Sequence, residues 1–259
     1  RQHDSSPFLR RPWRGKGGMM RVLIACERSG ISREAWRRRG FDAWSCDLEP
    51  ADDGSPFHIQ GDAIRAAYTQ PWDLLIAHPE CTYPANSGAK HLYAGMKKEN
   101  GPNPDRWAYL GAAAQFFMTL WNAPIERAAF ENPIMLGHVK RLFPDFPEPA
   151  QIIQPWQHGH GETKATMLWL RKLPLIVPSN IVDGREQRIW KMGPGPDRKK
   201  NRSQTFPGIA EAWAQQWGDY LLACYKSWVS NGSDPEYVTN PASKIDLPSD
   251  LVTSQGLAA

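Results

Sequence analysis

Trp72-Asp73-Leu74-Leu75-Ile76-Ala77-His78-Pro79-Glu80-Cys81-Thr82-Tyr83 is the stretch on which the reading of this chain turns. Its first half is short, apolar and rich in β-formers, the pattern of a buried parallel strand. A strand that ends in Pro and then presents Cys81 sets a thiol at the carboxyl edge of a sheet, where open α/β sheets hold their ligands. The polar, Gly/Pro-punctuated run from Thr82 to Pro104 follows. Connections that long are usually functional, so this one is expected to be a mobile lid over a nucleophilic cysteine. A lone Cys is more often a buried structural residue, and the rest of the chain has to supply its chemical partners.

Working outward towards the N-terminus, Arg21–Cys26 reads as a first strand, Glu27–Gly30 as a tight turn, and Ile31–Arg39 as a helix stopped by Gly40. Phe41–Asp47 reads as a second strand ending in an acid about 20 residues after the turn, the position that commonly meets the ribose of a nucleotide-like cofactor. His58–Asp62 reads as a short third strand, again ending in an acid. Residues 1–19 are Arg/Gly/Pro-rich without periodicity and read as an appended arm, with a natural start at Met19 or Met20.

Towards the C-terminus, Asp105–Trp121 reads as an amphipathic helix. Ala128–Pro133, Gln151–Pro155 and Ala165–Leu170 read as strands, and Phe206–Val229 as a Trp-rich helix. The expected fold is α/β: a doubly wound, mostly parallel sheet. One catalytic domain spans 20–229, with a basic loop at 184–205 and a loosely held tail at 230–259. Five strand ends carry Glu27, Asp47, Asp62, Cys81 and Glu131. Each alone is an ordinary exposed element end; together they describe one rim.

The chain has 259 residues, a formal net charge of +4, four cysteines and twelve tryptophans. No apolar run is long enough for a membrane span and no secretory signal is visible. The cysteines lack metal-type spacing, so a reduced, intracellular protein is expected. The charge is mild but clustered: Arg185, Arg188, Lys191, Arg198, Lys199, Lys200 and Arg202 form a basic stretch suited to a phosphate backbone. His158, His160 and Glu162 do not have the spacing of a metal site, and no metal is expected.

In order, these elements resemble the DNA cytosine-5 methyltransferases, in particular their short phage-encoded relatives. Pro79-Glu80-Cys81-Thr82 resembles the family's Pro-Cys-Gln nucleophile loop, and Phe130-Glu131-Asn132-Pro133 its Glu-Asn-Val element. Glu162-Thr163-Lys164-Ala165-Thr166 stands where the family has Gln-x-Arg-x-Arg, Ala25–Gly30 at its Phe-x-Gly-x-Gly turn, and Thr205–Gly208 at its last cofactor-side element. The resemblance implies a Rossmann-like fold of the S-adenosylmethionine-dependent type, DNA as partner, no membrane, and a cytoplasmic setting in a bacterial host.

It also implies roles. Cys81 adds to carbon 6 of cytosine, making carbon 5 nucleophilic enough to take a methyl group. Glu131 meets ring nitrogen 3 and the exocyclic amine, which calls for a raised pKa in a dry pocket. Asn132 holds the strand end, and Lys164 replaces an Arg and favours the thiolate. Cys26, Glu27, Ser29, Gly30, Asp47, Leu48, Asp62, Ala63 and Pro79 line the cofactor cleft. Arg185, Arg188, Lys199, Lys200 and Arg202 contact DNA, and the target base flips out of its helix.

Two departures stand out. Glu80 replaces the Pro that precedes the family's cysteine. Only about forty residues separate Lys164 from Thr205, too few for a separate target-recognition domain. Glu80 raises the alternative of a carboxy-S-adenosylmethionine donor that delivers a larger group. A non-catalytic DNA-binding relative and an enzyme acting on free nucleotide are the other readings.

Overall fold

The computed structural model describes residues 19–193, 195, 202 and 204–231. The arm before Met19, the tail beyond Asn231, and Lys199 and Lys200 lie outside them. In chain order the elements are β1 (Arg21–Ala25), α1 (Ile31–Arg38), β2 (Asp42–Asp47), β3 (His58–Gln60), α2 (Ala63–Thr69) and β4 (Leu74–Ala77). Then come α3 (Pro104–Trp121), β5 (Arg127–Pro133), α4 (His138–Leu142), β6 (Gln151–Ile153), β7 (Thr166–Arg171), α5 (Arg188–Lys191) and α6 (Pro207–Asn231).

The strands form one sheet in the order β3-β2-β1-β4-β5-β7-β6. β1 to β5 are mutually parallel, and β7 runs antiparallel between β5 and β6. This is a Rossmann-like, mostly parallel α/β fold. All four residues of β4 are buried, which is why its sequence is an unbroken apolar run.

Side chains alternate across the sheet. Leu75, Ala77, Ala128 and Phe130 face α2, α3 and α4. There Phe117 of α3 packs on Phe130, Phe146 and Trp169 at centroid distances of 4.8, 4.6 and 5.3 Å. Leu74, Ile76 and Ala129 face α1 and α6, against Trp36, Trp213 and Trp217. Burying an aromatic of this size contributes on the order of 2–3 kcal/mol, so the tryptophans fix how α1 and α6 lie on the sheet. Arginines of α1 add rim contacts: Arg38 pairs with Glu211 and Arg39 with Asp219.

The connection after β4 is not the free lid that its composition suggests. It folds into short 3-10 turns at Asn86–Leu92, Ala94–Met96 and Lys98–Asn100. Leu92 is wholly buried in the core. Asn86 N–H donates to Ile134 C=O at 2.8 Å, and Leu136 N–H to Pro84 C=O at 2.8 Å. An apolar residue inside a polar run gave this segment somewhere to anchor.

β1 lies between β2 and β4, so successive connections leave it in opposite directions. Its carboxyl edge is the switch point at which such sheets bind ligands. The turn there is tight. Cys26 takes a left-handed φ of 60°. Gly30 has φ 74°, and a Cβ on it would meet Asp53 Oδ2 at 2.7 Å. Gly30 offers α1 no side-chain cap. Instead the buried Glu27 carboxylate accepts from Ser32 N–H at 2.7 Å, Arg33 N–H at 3.2 Å and the Ser29 hydroxyl at 3.2 Å. A carboxylate at a helix N-terminus satisfies otherwise orphaned donors and matches the helix dipole. Replacing it, Glu27→Ala, is expected to lower stability by about 1–2 kcal/mol, read as a lower denaturant midpoint at unchanged slope.

Candidate active site

β4 and β5 pair with Ala77 opposite Phe130. One step further along, the same register sets His78 beside Glu131, and His78 Nδ1 lies 3.0 Å from Glu131 Oε2. Both point to the α1/α6 face, where the His78 ring stacks on Trp213 at 5.9 Å between centroids. The backbone N–H of His78 donates to Ala25 C=O at 3.0 Å, which ties this strand end to β1. Among the described residues, the buried His78 Nε2 has no hydrogen-bond partner.

Asn132 is 1% exposed and its Nδ2 donates to Pro79 C=O at 3.3 Å. It straps the end of β5 to the loop that carries Cys81. From the other side, Pro133 pairs with Thr166 at the start of β7, so Thr166 lies diagonally from Glu131 on the same face. Lys164 is held just before β7 by its N–H bond to Gln154 Oε1 at 2.9 Å, with its Nζ 5.9 Å from the Phe206 ring centroid.

The electrostatics show which groups meet. Burial raises the Cys81 thiol, Glu131 and Glu80 raise it further, and Lys164 and the loop backbone oppose them; the net shift is upward. Burial would also raise Glu131. The His78 hydrogen bond, the Lys164 charge and the Thr166 hydroxyl outweigh it and hold the carboxyl below its ordinary range. Cys81, Glu131, Lys164 and Glu80 thus converge. The sequence reading expected a raised Glu131, and the shift runs the other way. The dry pocket exists, but it contains partners that favour the anion.

Glu80 is exposed and turns back on its own loop, accepting from Thr82 N–H at 2.8 Å. Arg106 Nη2 donates to Thr82 C=O at 2.6 Å, and its guanidinium lies 4.5 Å from the centre of the Tyr83 ring. The cysteine loop is therefore braced from α3.

At the carboxyl end of β1, the Cys26 thiol is pushed well up by burial, then by Asp47, Cys46, Glu80 and Asp62. Cys46 rises to about 12 through burial, Asp47 and Asp62. Asp47, Asp62 and Glu80 thus all act on the thiol at the switch point. Asp47 Oδ1 accepts from Glu49 N–H at 3.0 Å, and Asp62 caps α2 through Ile64 N–H at 2.8 Å, beside the buried Ala63. Leu48 is 74% exposed at the same rim. Ser29 and Gly30 shape the turn. Glu27 does not join the rim, because its oxygens are turned into α1.

The basic stretch is more engaged than its sequence suggests. Arg185 donates to Gly184 C=O at 2.6 Å and lies 3.8 Å from the centre of the Trp156 ring. Arg188 pairs with Glu162 and Glu186. The cause is backbone pairing of 161–163 with 184–186: Thr163 N–H donates to Glu186 C=O at 2.9 Å, and Glu186 N–H to Gly161 C=O at 2.8 Å. Arg202 is half-buried. His158 Nδ1 is 2.9 Å from Ser179 Oγ, and His160 Nε2 accepts from Gly208 N–H at 2.9 Å. Burial, and then His160, lower His158 to about 4. Among the described residues no three His, Cys, Asp or Glu side chains form a metal-holding group.

His78, Thr166 and Trp213 were not picked out as site residues from sequence. His78 stood in the opening stretch as a strand-end polar residue, but its meaning depends on a register that one sequence does not reveal.

No protein family and no curated protein matches the chain. Among solved structures, it is similar to a protein described as a DNA modification methyltransferase encoded within an Escherichia coli prophage. The TM-score is 0.40 and the identity 14%, over 63% of this chain and 52% of that one. An rRNA methylase from Escherichia coli gives a TM-score of 0.32 and 15% identity, over 58% of this chain and 56% of that one. The matched part spans about half the length of each.

The charges around Cys81 predict its reactivity. Glu80→Gln removes a group that disfavours the thiolate, so the pH midpoint for iodoacetamide alkylation of Cys81 is expected to fall. Lys164→Met is expected to raise it.

Proposed function

We propose that this protein transfers a methyl group from S-adenosylmethionine to carbon 5 of cytosine in DNA, through a covalent bond between Cys81 and carbon 6. The observation that carries this reading is the strand-end placement of Glu131 and Asn132 against the loop that carries Cys81, where Lys164 acts on both Cys81 and Glu131.

The chain's residues fit such a cofactor. In dinucleotide-binding folds the first helix N-terminus receives a pyrophosphate. Here that position is filled by the protein's own Glu27 carboxylate, which disfavours a phosphate and leaves room for a ligand without one. Asp47, Asp62 and Glu80 suit a ligand with ammonium, sulfonium and ribose hydroxyl groups. Asp47 with Leu48, Asp62 with Ala63, and the Cys26–Gly30 turn with Pro79 would hold it. When bound, it supplies an electrophilic methyl group. A carboxylated donor would bring another anion beside three carboxylates, and like charges so placed repel, so the unmodified donor is favoured.

On the substrate side, Cys81 attacks carbon 6 once its proton is lost, and Lys164 steadies the thiolate. Glu131 hydrogen-bonds ring nitrogen 3 and the amine of the base. Asn132 keeps both strand ends in place by holding Pro79. After methyl transfer the carbon 5 proton leaves and Cys81 is expelled, restoring the enzyme. The base reaches this edge by leaving its stack. Arg185, Arg188, Arg202, Lys199 and Lys200 are assigned to phosphates.

Mass spectrometry of nucleosides from DNA incubated with the protein and S-adenosylmethionine is expected to find 5-methylcytosine. Cys81→Ala is expected to lower the yield by at least about 10³-fold, and an active Cys81→Ala overturns the covalent mechanism. For DNA binding, Lys199→Ala or Lys200→Ala is expected to reduce the log affinity–log salt slope by about 1 each. Arg188→Ala is expected to reduce it by less, because Arg188 already spends its charge on Glu162 and Glu186.

A further inference from the structure

Glu131 rests as a carboxylate, yet the role proposed for it requires a proton at ring nitrogen 3 as sulfur adds to carbon 6. One neighbour is built to supply it. His78 Nδ1 lies 3.0 Å from Glu131 Oε2, and both side chains are nearly buried, at 10% and 14% exposure. Strand register enforces the pairing from one side and the Trp213 ring holds the imidazole from the other. The remaining ring nitrogen is buried without a partner among the described residues.

We infer that His78 is a positioning residue that shares a proton with Glu131, so that the proton Glu131 presents to the base travels along the Nδ1–Oε2 hydrogen bond. This rests on the cytosine reading proposed above. In the step, the Nδ1–H bond of protonated His78 breaks and an O–H bond forms on Oε2. The imidazole is left neutral with its proton on Nε2, and Glu131 passes its proton to nitrogen 3 as the Cys81–carbon 6 bond forms. The Cys81 proton goes to solvent through its half-exposed face. On expulsion of Cys81 the proton returns to Glu131 and then to Nδ1. Neither oxidant nor reductant is involved. The other groups facing Glu131 are Lys164 and Thr166 from the approach to β7, and Cys81 with Glu80 behind it from the β4 loop. α6 contributes the Trp213 ring.

The test is exchange of the carbon 5 hydrogen of cytosine with labelled water, measured on DNA without donor from pH 6 to 8.5. It reads sulfur addition and its proton alone. His78→Gln retains a hydrogen-bond donor but cannot deliver a proton; His78→Asn is the companion if the first does not fold. The expected result is an exchange rate about 10²-fold below wild type at pH 8. The size of the loss varies with pH, because only the wild type has an imidazole on the proton's path. A variant whose profile keeps the wild-type shape, whether at full rate or uniformly reduced, overturns the shared proton. It would then follow that the thiol proton or solvent serves Glu131 directly. A wild type that neither exchanges nor methylates cytosine overturns the cytosine reading itself. Exchange by wild type with an unchanged profile in His78→Gln overturns the relay alone.

Discussion

The register between β4 and β5 is the constraint on which the site depends. Setting Ala77 against Phe130 decides that His78 and Glu131 leave the sheet side by side and on the same face. A slip of one residue would turn Glu131 into the aromatic core around Phe117 and expose Phe130 at the rim. The apolar alternation of both strands, packed on two faces, makes that slip prohibitive. The core therefore does more than stabilise. It aims a carboxylate and an imidazole at each other without a dedicated loop.

Beside this pair, the charges follow a simple division. Anions gather at the switch point, where Asp47, Asp62 and Glu80 act on Cys26. The cation, Lys164, approaches from β7 and acts on Cys81 and Glu131. Cys81 sits between these fields, with burial and two carboxylates outweighing one ammonium. A thiol in that position is disfavoured as a thiolate. Glu80 takes part in both fields while remaining bound to its own loop through Thr82.

Much of the scaffold was legible in the sequence because local rules and burial agreed. The apolar run at β4, the βαβ start and the acids at strand ends all point to one sheet edge. Cys81, Glu131 and Lys164 were read as partners, and the structure brings them together. Glu27 was read as a cofactor ligand because a strand-end acid looks the same whether it faces a cleft or caps the next helix. Only the path of the Cys26–Gly30 turn distinguishes the two. The direction of the Glu131 shift was misread because it depends on His78 and Thr166, which reach it through inter-strand pairing. The arginines at 185 and 188 looked free because the pairing of 161–163 with 184–186 joins segments far apart in the chain. The lid was overdrawn because Leu92, one apolar residue among polar ones, is enough to pin it.

The reversed direction of β7 has a consequence for how this edge is supplied with chain. A parallel strand delivers its last residues to the edge; an antiparallel strand delivers its first. β7 departs from the site at Thr166, reaches the far side of the sheet at Arg171, and the chain then returns along 158–162 before α6 begins near Phe206. The connection that ends at Phe206 starts beyond the pairing of 161–163 with 184–186, and Phe206 itself packs against the core on the α1/α6 face. Lengthening such a connection adds closure entropy only logarithmically, about 0.6 kcal/mol per doubling. The length of that connection is therefore only loosely constrained by the sheet and its two helical faces. A short connection and one long enough to fold by itself can close on the same scaffold.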